Sequence, residues 1–376
     1  MRVLFLIRSL EIGGAERQLT VLAHSLAKKG HEVSIATFYG GGALEGSLRD
    51  SGVRLYDLKK NGRWDVIRFI GRFRNLVREF RPDVLYGFMP VSNLICLAAR
   101  DAMPENARLV WGVRAAFMDL KQYDLLSRLV YWIEARLLSR PDLIIVNSHA
   151  GQRLLTVKGA PASRVRVIPN GIDIDFFSPQ PDARADVRKS WDVPTDKILI
   201  GLVARLDPMK EHDVFLQAAA LLLAKRSDVQ FVCVGGGDAG RLEALKQLAH
   251  NLGIEANVVW PGEIANMPVS YAALDISTNC SYGEGFSNAI AESMACGCPC
   301  VVTDVGDSAW IVGETGESVS PRNPGFLVEG WMRMIDRVHD NQALCKEQSR
   351  DRIVESFSLE NMTTMTIEAL SSGEAV

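Results

Sequence analysis

Short apolar runs recur along the chain, and the residues between them repeat at helical spacing. In the first half, residues 3–7, 33–38, 53–55, 84–86, 109–113 and 143–146 read as strands, and 15–29 as the helix after the first strand. Continuous apolar strands alternating with helices predict a parallel sheet covered on both faces. The pattern then restarts. Residues 198–203, 229–234, 258–259 and 300–303 read as strands, and 214–225, 240–252 and 286–296 as helices. Pro169-Asn170-Gly171 is a turn signal and Ser178-Pro179-Gln180-Pro181 a linker. The expected architecture is α/β with two doubly wound domains, 1–175 and 176–357. A last helix, 359–370, lies within a closing segment (358–376) assigned to the first domain. Ligands of such sheets bind beyond the carboxyl ends of the strands, so two domains facing each other would leave a cleft.

Composition narrows the function classes. The chain has 376 residues, 47% of them hydrophobic, which excludes wholesale disorder. No run approaches the roughly 18 apolar residues of a membrane span. Residues 1–10 lack the core and cleavage site of a secretory signal, so a cytoplasmic location is expected. The seven Cys need no disulfide partners. The net charge of −3 hides an asymmetry: residues 1–180 hold 26 Lys+Arg against 17 Asp+Glu, whereas the remainder is acidic. A basic half suggests an anionic surface or substrate.

Four segments carry candidate chemistry. Gly13 and Gly14 follow the first strand and open a helix, where backbone can approach a ligand closely and free N–H groups suit an anion. The same pair also serves as a tight turn. Arg205 and Lys210 share one loop at a strand's carboxyl end and could grip a diphosphate, Arg in bidentate fashion and Lys as a point charge. Gly235-Gly236-Gly237 either approaches a ligand or turns the chain. The most informative segment is Tyr282 to Glu292. Asp275 is read as ending the strand before it, and Gly285 as leading into a helix. Glu284 and Glu292 then lie on about the same side, two acceptors for sugar hydroxyls beside a phosphate-binding helix start.

These segments resemble glycosyltransferase family 4 of the GT-B architecture: two Rossmann-like domains facing a cleft, with a C-terminal helix crossing back to the first. The resemblance runs through GGAE, IPNGID (168–173), VARLDPMKEHD (203–213), VGGGD, EGFSNAIAE and CGCPCVVTDVG (296–306). It implies transfer of a sugar from a nucleotide-sugar donor, a UDP-sugar by family habit, with retention of configuration and without a metal or other cofactor. By resemblance, Arg205 and Lys210 bind the donor diphosphate, Glu284 the donor sugar and Glu292 the ribose. Backbone N–H groups of Gly285, Phe286 and Ser287 meet sugar or phosphate. Gly14 approaches the diphosphate from the other domain, and the base lies near Gly262 to Ile264. The acceptor, a glycan or lipid-linked saccharide of a surface polysaccharide, meets loops such as 117–123. One departure stands out. Arg114 occupies the strand end where many members carry a His, so it becomes a candidate contact for a sugar hydroxyl or an acceptor phosphate.

Residues 64–80 read as a basic amphipathic helix with Arg68, Arg72, Arg74 and Arg78. It either lies on an anionic membrane, making the enzyme peripheral on the inner face, or packs on the sheet with a solvated basic face. His149 sits at a strand end as a further candidate. Cys296, Cys298 and Cys300 lack metal-site spacing and read as core. No nucleic-acid module is present. Two other functions fit the same motifs: a GT-B nucleotide-sugar epimerase, and a catalytically silent nucleotide-sugar-binding protein.

Overall fold

The structure is a computed structural model that describes residues 1–62, 64–114 and 124–371. The acceptor loop expected at 117–123 lies outside them. The chain divides into two units, Met1–Gly171 with the segment from Leu359, and Ile172–Ser358.

The first unit contains β1 (Arg2–Ile7), α1 (Gly14–Lys28), β2 (Glu32–Thr37), β3 (Arg54–Asp57), α2 (Val66–Phe80), β4 (Val84–Phe88), α3 (Pro90–Ala98), β5 (Arg108–Val113), α4 (Leu125–Arg136), β6 (Leu143–Val146), α5 (His149–Val157) and β7 (Val165–Val167). Its seven parallel strands run in the order β3-β2-β1-β4-β5-β6-β7. Val3, Phe5 and Ile7 face one core with α1; Leu4 and Leu6 face the other with Phe69, Phe73 and Val77 of α2. A strand buried on both sides reads as a continuous apolar run for this reason.

The second unit contains α6 (Ala183–Ser190), β8 (Ile198–Val203), α7 (His212–Leu223), β9 (Val229–Val234), α8 (Ala239–Asn251), β10 (Val258–Gly262), α9 (Met267–Ala273), β11 (Ile276–Asn279), α10 (Asn288–Ala295), β12 (Cys300–Thr303), α11 (Ser308–Val312), β13 (Glu317–Val319) and α12 (Pro324–Phe357), which breaks at Asn341. The sheet order is β10-β9-β8-β11-β12-β13, again parallel. The final helix α13 (Leu359–Ser371) belongs to the first unit. There Thr363 Oγ1 donates to Ser25 Oγ at 2.9 Å, and Arg108 donates to the carbonyls of Ala369 and Leu370.

Several local expectations need correction. The third strand starts at Arg54 and runs to Asp57, because it is a largely exposed edge strand without a clean apolar run. Asp275 does not end a strand. It precedes β11, where its carboxylate accepts from Arg184 and Arg188 at 2.5 Å each and from the Leu199 amide at 2.8 Å. The helix expected from Phe286 begins at Asn288, so Phe286 and Ser287 are loop and cap. Trp64 and Ile67 do not pack on the sheet: they are 90% and 87% exposed, whereas Phe73, Leu76 and Val77 of the same pattern are buried. Gly235 and Gly237 support a neighbouring loop. A Cβ on Gly235 would lie 2.0 Å from the Ala204 carbonyl oxygen, and one on Gly237 2.8 Å from Leu206.

Glu134, in the last turn of α4, is 6% exposed and accepts from Asn93 Nδ2 at 2.7 Å. Burial raises its pKa from 4.5 to about 7. The folded state therefore keeps a proton that the unfolded chain gives up. The group's stabilisation is complete below its unfolded pKa and is lost as pH rises toward 7, a loss of about 3 kcal/mol. Glu134→Gln, neutral throughout, is expected to raise stability by about that amount near pH 8 and by almost nothing near pH 4. Urea unfolding at the two pH values checks this; equal gains at both would refute it.

Candidate active site

The second sheet changes direction of winding between β8 and β11. From β8 the chain proceeds to β9 on one side, and from β11 to β12 on the other. The crevice beyond the carboxyl ends at such a point is where doubly wound sheets bind ligands. The loop after β8 carries Arg205 and Lys210, and the loop after β11 carries Glu284 to Ser287.

The two loops meet through charge. Lys210 Nζ lies 2.5 Å from Glu284 Oε1, with the side chains only 17% and 9% exposed. The same oxygen accepts from Ser281 Oγ at 2.7 Å and from Asn279 Nδ2 at 3.4 Å. Three donors thus converge on Oε1 and fix the carboxylate. Asn279, at the end of β11, is the hub. Its Nδ2 also donates to Ser287 Oγ at 2.9 Å, and its Oδ1 accepts from the Ser281 amide at 3.2 Å. Ser287 is the N-cap of α10 and makes no side-chain cap bond.

Arg205 stands apart. Its side chain is 79% exposed and forms a 3.7 Å ion pair with Asp207. Asp207 Oδ1 accepts from the Met209 amide at 2.9 Å and so shapes the turn that ends at Lys210. Glu292 lies in the second turn of α10, 7% exposed, and accepts from Tyr271 OH at 3.4 Å. Gly285 is half-buried; Phe286 is buried against Phe357, with ring centres 5.4 Å apart. Gly262 closes β10 at φ +78, its carbonyl accepting from the Gly235 amide, and Ile264 is half-buried just beyond.

Two supporting residues escaped the sequence reading. Asn279 is one: it is buried at the end of β11, a strand whose polar sequence gave no signal. Gly306 is the other. It has φ +61, and a Cβ there would lie 2.3 Å from the Glu284 carbonyl oxygen. The Asp307 amide donates to the Gly285 carbonyl at 3.0 Å, so the turn after β12 braces the Glu284 loop from behind.

In the first unit the remaining candidates lie at carboxyl ends of strands. Gly13 is the N-cap of α1 at φ −155, and Gly14 its first residue. The nearest obstacle to a Cβ on Gly13 is the flexible end of Glu16, so the turn itself does not demand glycine. Arg114 follows β5, donates to Asn170 Oδ1 at 3.2 Å and stacks 4.5 Å over Phe88. His149 opens α5 after the Ser148 cap. Among the described residues, no group of three or more His, Cys, Asp or Glu is placed to hold a metal ion.

The two parallel sheets and the returning C-terminal helix define the GT-B fold. HepE of Anabaena, solved with UDP and glucose, superposes with a TM-score of 0.83 at 22% identity, covering 99% of this chain and all of that one. WaaG, a glycosyltransferase involved in lipopolysaccharide biosynthesis, gives 0.74 at 17% identity over 98% of this chain and all of its own. At these identities the likeness is one of fold. Residues 12–176 match the family described as Glycosyltransferase Family 4, and 197–337 match Glycosyl transferases group 1. The chain belongs to this family. Among curated proteins it is 30% identical to the D-inositol 3-phosphate glycosyltransferase of Mycolicibacterium smegmatis over 237 residues, 60% of this chain and 51% of that one. The chain spans about half the length of the curated relatives it matches.

Proposed function

We propose that the protein is a retaining, metal-independent glycosyltransferase. It would move a sugar from a nucleoside-diphosphate sugar, a UDP-sugar by preference, to a glycan or lipid-linked saccharide of a surface polysaccharide. The observation that carries this reading is the meeting of Lys210 and Glu284 at the second sheet's switch point, beside the start of α10. HepE's complex with UDP and glucose supports the choice of nucleotide, and WaaG's role the class of product.

The roles follow from position. Lys210 and the exposed Arg205 hold the diphosphate with the backbone at the start of α10. Glu284 uses the carboxylate oxygen not gripped by Lys210 to orient the donor sugar. Glu292, deeper on the helix, takes the ribose hydroxyls, and the strand end at Gly262 to Ile264 carries the base. In the reaction the bond between the anomeric carbon and the β-phosphate oxygen breaks. The acceptor oxygen bonds to that carbon on the same face, and its proton passes to the leaving phosphate. Negative charge grows on the diphosphate, and fixed cations and amides stabilise it there. On the first unit, Arg114 and His149 are proposed as acceptor contacts.

Trp64 and Ile67 stand exposed beside Arg68. A groove of about 460 Å³ along α2 is lined by Ile67, Gly71, Arg74 and Arg78. Apolar side chains among arginines suit an anionic membrane surface, consistent with a lipid-linked acceptor. Release of nucleoside diphosphate from UDP-, GDP- and ADP-sugars, measured with and without saccharide acceptors on anionic vesicles, tests the reading. Acceptor-dependent release is expected, and its absence with every pair would refute transfer.

Gly306→Ala is expected to push the Glu284–Gly285 backbone out of place and lower that activity about ten- to hundredfold. The new Cβ meets backbone rather than a yielding side chain. Wild-type activity in a folded Gly306→Ala protein would show that the brace is dispensable.

A further inference from the structure

Two residues near the Lys210 turn hold a backbone conformation that glycine adopts without steric cost. Glu211 has φ +48 and ψ 48, and Arg322 has φ +58. A left-handed non-glycine residue is strained, and such residues collect at functional sites. Their side chains meet, with Arg322 Nε 3.2 Å from Glu211 Oε1. The Arg322 guanidinium also stacks 4.3 Å over the Tyr282 ring. The Tyr282 amide in turn donates to the Met209 carbonyl at 3.1 Å, one residue from Lys210.

The contacts on this turn come from the segments that follow two other strands, β11 and β13. The Cys280 thiol donates to the carbonyls of Lys210 at 3.2 Å and Glu211 at 3.4 Å. Arg322 arrives from the loop after β13, the outermost strand of the sheet. Glu211 is shielded: burial raises its pKa, and its Oε2 is buried with no hydrogen-bond partner among the described residues. An ion pair with a 62% exposed arginine contributes little, and two left-handed backbones offset it. Stability therefore does not account for Glu and Arg where glycine would be unstrained.

We infer that Glu211, Arg322 and Tyr282 form a positioning strap that fixes the Lys210 turn, so that the Lys210 ammonium is held ready for the donor diphosphate. The strap rests on the diphosphate reading of Lys210. Arg322 acts through Glu211 and the Tyr282 loop and needs no contact with the donor.

Calorimetric titration of the full chain with UDP, GDP and ADP tests this, using wild type, Lys210→Ala, Glu211→Gly, Arg322→Gly and Arg322→Lys. Either glycine variant relieves backbone strain, so its melting temperature should hold or rise. Its affinity for the nucleotide that binds wild type should still fall about three- to tenfold, a pattern a purely structural pair would not give. Arg322→Lys, which keeps the charge, should fall less. Affinities of both glycine variants within twofold of wild type, while Lys210→Ala is weakened, would overturn the strap alone. So would a loss of affinity that merely tracks a loss of melting temperature. Equal binding by wild type and Lys210→Ala, or binding of no nucleotide by wild type, would overturn the diphosphate reading and the strap with it.

Discussion

Lys210→Ala should lower the rate of sugar transfer at least tenfold, and by about a hundredfold if its charge acts mainly on the leaving diphosphate. The side chain is 17% exposed and fixed at 2.5 Å from Glu284, so no reorganisation is needed when charge develops nearby. Its removal has a second effect. Glu284 keeps its bonds from Ser281 and Asn279 but loses its cation, and its carboxylate would then repel an arriving phosphate. Arg205 cannot compensate from its exposed position. Lys210→Arg should recover part of the rate, since the charge is kept but the fit to one carboxylate oxygen is altered. Steady-state kinetics on protein of wild-type melting behaviour checks this. An unchanged rate would remove Lys210 from the chemistry.

Asp275→Ala should cost the second unit about 3–5 kcal/mol. The carboxylate is 6% exposed and answers Arg184, the 2% exposed Arg188 and the Leu199 amide together. Burial already lowers the pKa of Arg188, and Asp275 is the first influence opposing it. Alanine would leave a buried guanidinium without its anion and an amide without its acceptor, and removing one member of a buried pair is far more damaging than replacing both. Such a loss is a large part of the 5–15 kcal/mol that holds a domain folded. Two units need not unfold together, so hydrogen exchange of β8 and β11 amides is the suitable probe. Protection in β8 unchanged by the substitution would refute the argument. Replacing Asp275, Arg184 and Arg188 together by apolar residues should restore much of the loss.

What could be read from the chain follows from how each strand is buried. Runs 143–146, 198–203, 229–234 and 300–303 were legible to the residue because both faces of those strands are covered and, Gln230 excepted, every position is apolar or small. Strand β11, Ile-Ser-Thr-Asn, was missed although all four residues are buried. Its polar side chains find partners that sequence does not display: Thr278 Oγ1 accepts from Trp331 Nε1 at 2.9 Å, and Asn279 organises the Glu284 loop. Strands β7 and β13 are three residues long and too polar to mark themselves. The helix α12 carried no reading, and its backbone breaks at Asn341.

The site was legible as an inventory and not as an arrangement. Lys210 and Glu284 could be named from the loops they occupy, but residues 74 apart give no sign that they touch. Arg205 and Lys210, five apart, look equivalent in sequence and differ sharply in exposure. Gly306 reads as one turn glycine among many until the Glu284 backbone is seen against it. Glu211 and Arg322 stand in left-handed turns that no apolar pattern reports.

The central claim is that the carboxyl edge of the second sheet binds a nucleoside diphosphate through Lys210. The most direct measurement is the melting temperature of wild type and Lys210→Ala with UDP, GDP and ADP, without added metal. A ligand that binds only the folded state raises that temperature. One nucleotide, UDP by preference, should stabilise wild type by several degrees and Lys210→Ala by much less. No shift with any of the three, or the same shift in both proteins, would contradict the account.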